Sequence, residues 1–196
     1  MNQYTILRRK EPFSWEQIPA LPVSNQLWGT ETDITAQAQL CYDGEAIYVA
    51  MEATERHIRA EECGKLGMPC LDSCLEFFFC PIPGDNRYFN IEYNPNCCLC
   101  FGFGGDCRVR LVVKEELLAP QVTRTEAGWR IEYRIPFQLI RQFVPEFTPA
   151  SGTAIRANCY KCGELTVRNH YLSWNPVELP KPCFHCPPHF GIMYFE

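Results

Sequence analysis

The chain has 196 residues, 46% hydrophobic, 13% aromatic and 21% charged, with a formal net charge of −5. That length and balance belong to a globular chain able to bury a core without disulfide or metal staples, and they exclude a disordered one. With 23 carboxylates against 18 Lys and Arg, it lacks the basic footprint of a non-specific nucleic-acid binder.

In chain order, the first clear element is a strand in which Ile47, Val49, Met51 and Ala53 alternate with Tyr48, Ala50, Glu52 and Thr54. Residues 55–66 offer a turn of helix. Leu75, Phe77 and Phe79 then share one face opposite Glu76 and Phe78, and Phe89, Ile91 and Tyr93 share one opposite Asn90, Glu92 and Asn94. Residues 108–113 and 122–125 are shorter strand candidates. Trp129, Ile131, Tyr133 and Ile135 alternate with Arg130, Glu132 and Arg134. Residues 136–143 read as a helix opened by Pro136, with Phe137, Ile140 and Val144 at helical spacing. Residues 153–160 and the terminal GIMYFE complete the strands. Asp43-Gly44, Pro83-Gly84-Asp85-Asn86, residues 102–106 and Ala127-Gly128 supply turns between these runs. Period-2 alternation marks strands with one buried face, because successive strand side chains point to opposite sides. The expected fold is all-β, an antiparallel β-sandwich of jelly-roll or immunoglobulin-like type with one or two short helices. One domain is expected over residues 1–196, with a proline-rich C-terminal segment packed across the sandwich.

The 13 cysteines are odd in number, so complete internal pairing is impossible. Cys159-x2-Cys162 and Cys183-x2-Cys186 approach a four-thiolate zinc spacing, with His185 inside the second pair. In a strand, however, Cys159 and Cys162 point to opposite faces, and the alternative is that the thiols are reduced packing residues. No apolar run approaches the ~18 residues of a membrane span, and MNQYTILRRKEPFSWEQIP has no apolar signal-peptide core. A reducing, cytoplasmic setting with no membrane or nucleic-acid partner is expected. His57, His170, His185, His189, Ser73 and Ser173 carry no nucleophile, metalloprotease or phosphate-loop motif, so no catalytic residue is assigned. Glu76 and Glu92, on neighbouring strands, are near the ~5–9.5 Å separation of a glycosidase carboxylate pair.

Read in order, FSWEQIP, YDGEAIYVAMEATE, DSCLEFFFCP, YFNIEYN, GWRIEYRIPF, RANCYKCGE, HYLSWNPV and PCFHCPPHFGIMYFE resemble the family 9 carbohydrate-binding modules, in particular their free-standing bacterial relatives. The resemblance implies a β-sandwich that holds a sugar in a surface cleft between two tryptophans, gripped by charged and amide side chains, with structural calcium and no other cofactor. It implies non-catalytic binding of a glucan- or xylan-type sugar or oligosaccharide end, linked to carbohydrate catabolism. On this resemblance Glu76 matches the acidic contact and Asn158 the late-strand amide. Asn90 and Glu92 lie on the next strand, and Trp174 is the stacking platform. Pro69-Cys70-Leu71 stands where these modules carry one of their tryptophans. Two alternatives remain: a glycoside-processing enzyme using Glu76 and Glu92, and an interaction module whose sugar site has closed.

Overall fold

Alternation dictates most of the elements in the computed structural model, which describes residues 1–105 and 110–196. Its strands are β1 (Gln3–Arg8), β2 (Leu21–Val23), β3 (Asn25–Gln26), β4 (Thr35–Tyr42), β5 (Ala46–Thr54), β6 (Cys74–Cys80) and β7 (Tyr88–Tyr93). They continue with β8 (Leu99–Gly104), β9 (Gln121–Arg124), β10 (Gly128–Pro136), β11 (Ala154–Gly163), β12 (His170–Ser173) and β13 (Gly191–Phe195). The helices α1 (Glu115–Leu118) and α2 (Phe137–Arg141) are short. Hydrogen bonds run in one continuous path, β8-β7-β6-β11-β13-β1-β4-β5-β10-β9, with β12 and β3 extending from β11 and β2 pairing with β4.

The sheet curls until its halves face each other. Phe77, Phe79 and Ile91 from one half and Val49, Met51 and Ile131 from the other lie in one buried core. β1 joins the halves by pairing in parallel with both β13 and β4. The fold is therefore all-β in a curled sheet, and the wholly antiparallel arrangement is corrected at β1. The first and last strands are not joined by a hairpin, so no tight turn forces them to run antiparallel.

Local chemistry explains the other departures. Residues 55–66 form no helix. The buried carboxylate of Asp72 takes the backbone N–H groups of Glu61 and Glu62 at 2.8 Å each, and Arg59 closes on its other oxygen. Backbone donors claimed by a side chain are lost to a helical ladder. The helix expected over 136–143 shortens to α2, with Pro136 extended as its N-cap. The strand expected at 108–113 begins outside the described residues. Its described part makes only an isolated bridge, Arg110 to Gly102. The expected turn at 102–106 likewise ends outside them, and β8 runs on through Gly104.

A buried ionic cluster ties the halves together at one end of the core. Lys161 of β11 is fully buried and meets Glu55, just after β5, at 3.3 Å. Its ammonium also donates to the Cys162 carbonyl at 2.9 Å and lies 2.7 Å from His170 Nε2. Glu55 accepts from Ser73 at 3.0 Å and from the Trp129 indole of β10 at 2.7 Å. Burial, and after it the Lys161 charge, pushes the His170 imidazole down to about 4, so the ring is neutral and Nε2 accepts. Every proton of the ammonium thus has an acceptor, the condition for a buried cation to be tolerated.

Candidate functional site

Strands β6, β7, β8 and β11 turn one face to the core. The opposite face carries Cys74, Glu76 and Phe78, Asn90 and Glu92, Cys100, and Tyr160 and Cys162. Register sets Glu76 directly between Tyr160 and Glu92, with Cys100 beyond Glu92. The proline-rich C-terminal segment covers part of this face. Phe184 stacks on Tyr160 at 4.0 Å and 12°, and the Tyr160 hydroxyl donates to the Phe184 carbonyl at 3.2 Å.

Between that segment and the sheet lies a cavity of about 430 Å³, with Trp28, Tyr171 and Phe184 on its wall and Glu76, Glu92, Cys70 and Cys162 among its polar lining. Trp28 meets Tyr171 edge-on at 5.3 Å and Phe184 at 5.6 Å. Its backbone is left-handed, with φ 54°. For a bulky residue that conformation costs roughly 1–3 kcal/mol. The Trp28 Nε1–H bond to the Leu179 carbonyl at 2.8 Å, together with the two ring contacts, holds it there. A larger groove, about 590 Å³, runs past Pro22, Thr35, Gln37 and Glu52, but no aromatic ring lines it. Ligand sites combine an apolar wall with a few convergent polar groups, and the smaller cavity has both.

The floor of the cavity carries two buried carboxyl groups. Glu76, 2% exposed, accepts from the Cys162 thiol at 3.0 Å. Burial pushes its carboxyl well above the usual range, and Cys162 and Glu92 add to the effect. Burial raises Glu92 to about 7, against the opposing pull of Asn90, whose amide donates to it at 2.8 Å, and of the Arg110 charge. The folded state therefore keeps the Glu92 proton up to about pH 7, whereas an unfolded chain releases it near 4.5. The stability this group contributes is complete below pH 4.5 and is lost as pH rises through 7. Thermal unfolding in chelator is expected to show a midpoint falling between pH 5 and 8, and Glu92→Gln should flatten that fall by on the order of 3 kcal/mol. An unchanged slope in the variant would show that Glu92 does not titrate there.

Residues 9–195 match the family model described as carbohydrate-binding family 9. The chain belongs to that family. A solved structure of a candidate carbohydrate-binding protein from Bacteroides uniformis is 25% identical, with a TM-score of 0.82 and 99% of each chain covered. Two structures of a family 9 module from Caldicellulosiruptor kristjanssonii, in complex with cellotriose and with glucose, are each 13% identical and speak to the fold alone. Their TM-scores are 0.71 and 0.73, covering 100% of this chain and 94% and 96% of theirs. No curated protein gave a match.

Within this family 9 chain, Glu76 and Glu92 line the cavity and Asn90 braces Glu92 from beneath. Two expected contacts lie elsewhere. Trp174 is 4% exposed and belongs to the core between the sheet halves, so its ring offers no face to a ligand. It follows Leu172 at strand period, and Leu172 points into the same core. A Cβ on Gly191 would stand 2.7 Å from its ring, so that glycine makes room for it. Asn158 is also corrected: its amide donates to the Asn175 carbonyl at 2.9 Å and accepts from the Asn175 N–H at 2.8 Å, pinning the C-terminal segment. The aromatic wall is instead Trp28, Tyr171 and Phe184. In the sequence Trp28 is marked by nothing beyond the glycine that follows it, Gly29. Cys70 also lines the cavity.

The four-thiolate set that the spacing approaches does not assemble. Cys159 lies in the inter-half core and Cys162 on the opposite face, because residues three apart on a strand diverge. Among the described residues, the His, Cys, Asp and Glu side chains whose donor atoms lie close enough together to share an ion are Cys74, Glu76 and Cys162.

Proposed function

We propose that this protein binds carbohydrate without transforming it, taking a glucan- or xylan-type sugar or oligosaccharide end into the cleft between Trp28 and Glu76 in the service of carbohydrate catabolism. The observation that carries the reading is the joining, in one 430 Å³ cavity, of an aromatic wall and two buried carboxyl groups set side by side on paired strands. The axial C–H face of a pyranose is apolar and packs on an aromatic ring, while its hydroxyls need fixed acceptors and donors. Membership of carbohydrate-binding family 9 supports the reading. So do the cellotriose and glucose held by the Caldicellulosiruptor kristjanssonii modules of the same fold.

One aromatic wall and a few hydrogen bonds leave a dissociation constant between about millimolar and micromolar once association costs are met. Calorimetry against glucose, cellobiose, cellotriose and xylobiose is expected to give saturable heat for at least one of them. Trp28→Ala should weaken it at least tenfold, about 1.4 kcal/mol, and Glu76→Gln should weaken it too. Silence from every sugar, or equal affinity in Trp28→Ala, would remove the reading. Turnover of an aryl glycoside that vanishes in Glu76→Gln would replace it with hydrolysis by the Glu76–Glu92 pair.

A further inference from the structure

Beneath the sugar cleft, Cys74 and Cys162 stand directly opposite each other on β6 and β11. Their sulfur atoms and a carboxylate oxygen of Glu76 all lie within 4.8 Å of one another, and all three residues are buried. Ligand atoms sharing one tetrahedral zinc ion are roughly 3.5–3.8 Å apart, so the three donors need only small side-chain movements to close on an ion. The Cys162 sulfur and Glu76 oxygen, at 3.0 Å, are already in contact. A buried carboxyl group beside two buried thiols offers three donors whose charges, once their protons leave, a cation would neutralise.

We propose that the floor of the cleft is a binding site for a thiophilic divalent cation of the zinc class, held by Cys74 Sγ, Cys162 Sγ and one carboxylate oxygen of Glu76. Soft thiolates select zinc-like ions over calcium or magnesium. Both thiols give up their protons to solvent on binding, as does Glu76 when protonated, so affinity rises with pH. Glu76 and Cys162 face the cavity, which leaves the fourth position of the ion open to the cleft and to water. The inference goes beyond the carbohydrate reading and shares only Glu76 with it. Its test contains no sugar, so either fails without the other.

The experiment uses the full chain, reduced and stripped with chelator, titrated with cobalt(II) and then zinc. One cobalt per chain is expected, with the near-ultraviolet sulfur-to-cobalt charge-transfer band that thiolate ligation produces and its loss when zinc displaces the cobalt. Cys162→Ala and Cys74→Ala should each cut the affinity at least tenfold and weaken the band, while Cys63→Ser and Cys186→Ser leave both unchanged. Should the buried variants fail to fold, X-ray absorption of the zinc-loaded wild type decides. Two sulfurs at about 2.3 Å with oxygen at about 2.0–2.2 Å support the site. The absence of a charge-transfer band, its survival in Cys162→Ala, or a sulfur-free zinc shell overturns it.

Discussion

Lys161→Met is expected to lower the unfolding midpoint at pH 7 by roughly 6–20 °C. Removing one partner of a buried ion pair costs about 3–5 kcal/mol, because the other charge stays buried without compensation. For a chain of this size, each kcal/mol moves the midpoint by roughly 2–4 °C. Glu55 would keep Ser73 and Trp129 as donors but lose its cation, and the His170 Nε2 and Cys162 carbonyl would lose theirs. Lys161 stands on one half of the curled sheet, whereas Glu55 and Trp129 belong to the other, so the loss falls on the joint between them. Lys161→Met combined with Glu55→Gln should recover part of the loss, since neither variant residue is charged. Neighbours that share a network couple by about 0.5–3 kcal/mol. A single-variant loss below about 1 kcal/mol, by thermal or denaturant unfolding, would show that the cluster does not clamp the halves.

Trp174→Ala should act on stability and leave affinity alone. The ring is buried in the core against Gly191, and truncating a buried tryptophan costs about 3–5 kcal/mol. The backbone around it is also committed: Asn2 and Asn25 both donate side-chain N–H groups to its carbonyl, at 2.6 and 2.7 Å. The expected result is a midpoint again roughly 6–20 °C lower, with unchanged sugar affinity in whatever fraction is folded. Trp28→Ala should do the reverse. If Trp174→Ala instead weakened binding with its midpoint intact, the aromatic wall assigned to Trp28, Tyr171 and Phe184 would be wrong.

The strands that carry the cleft were legible because their alternation is between large apolar and polar residues. Phe77, Phe79, Ile91, Ile131 and Tyr133 all point into the core as their spacing predicted. β4 was missed because its inward positions include Ala36 and Ala38, which signal burial only weakly. β1 carries a single buried residue, Ile6, and its partners are the far end of the chain and a strand that is not its neighbour. The helix expected over residues 55–66 failed against Asp72, a residue outside that window that takes up its backbone donors. Local pattern holds no record of a carboxylate arriving from elsewhere in the chain.

Length, composition and charge determined a foldable chain without the charge for non-specific nucleic-acid binding, and period-2 alternation determined an all-β fold with Glu76 and Glu92 on one side of adjacent strands. The oddness of 13 cysteines ruled out complete pairing. Which thiols meet was decided only in three dimensions. Spacing along the chain favoured Cys159 with Cys162, but the strand sends those two to opposite faces. Cross-strand register brings Cys162 instead to Cys74, 88 residues earlier in the numbering, beside Glu76. The same holds for the tryptophans. Chain order made Trp174 the platform, but the curl of the sheet buries it, and a left-handed turn brings Trp28 into the cavity wall. Alternation records the two sides of each strand; only the closure of the sheet decides which side becomes core and which becomes cleft.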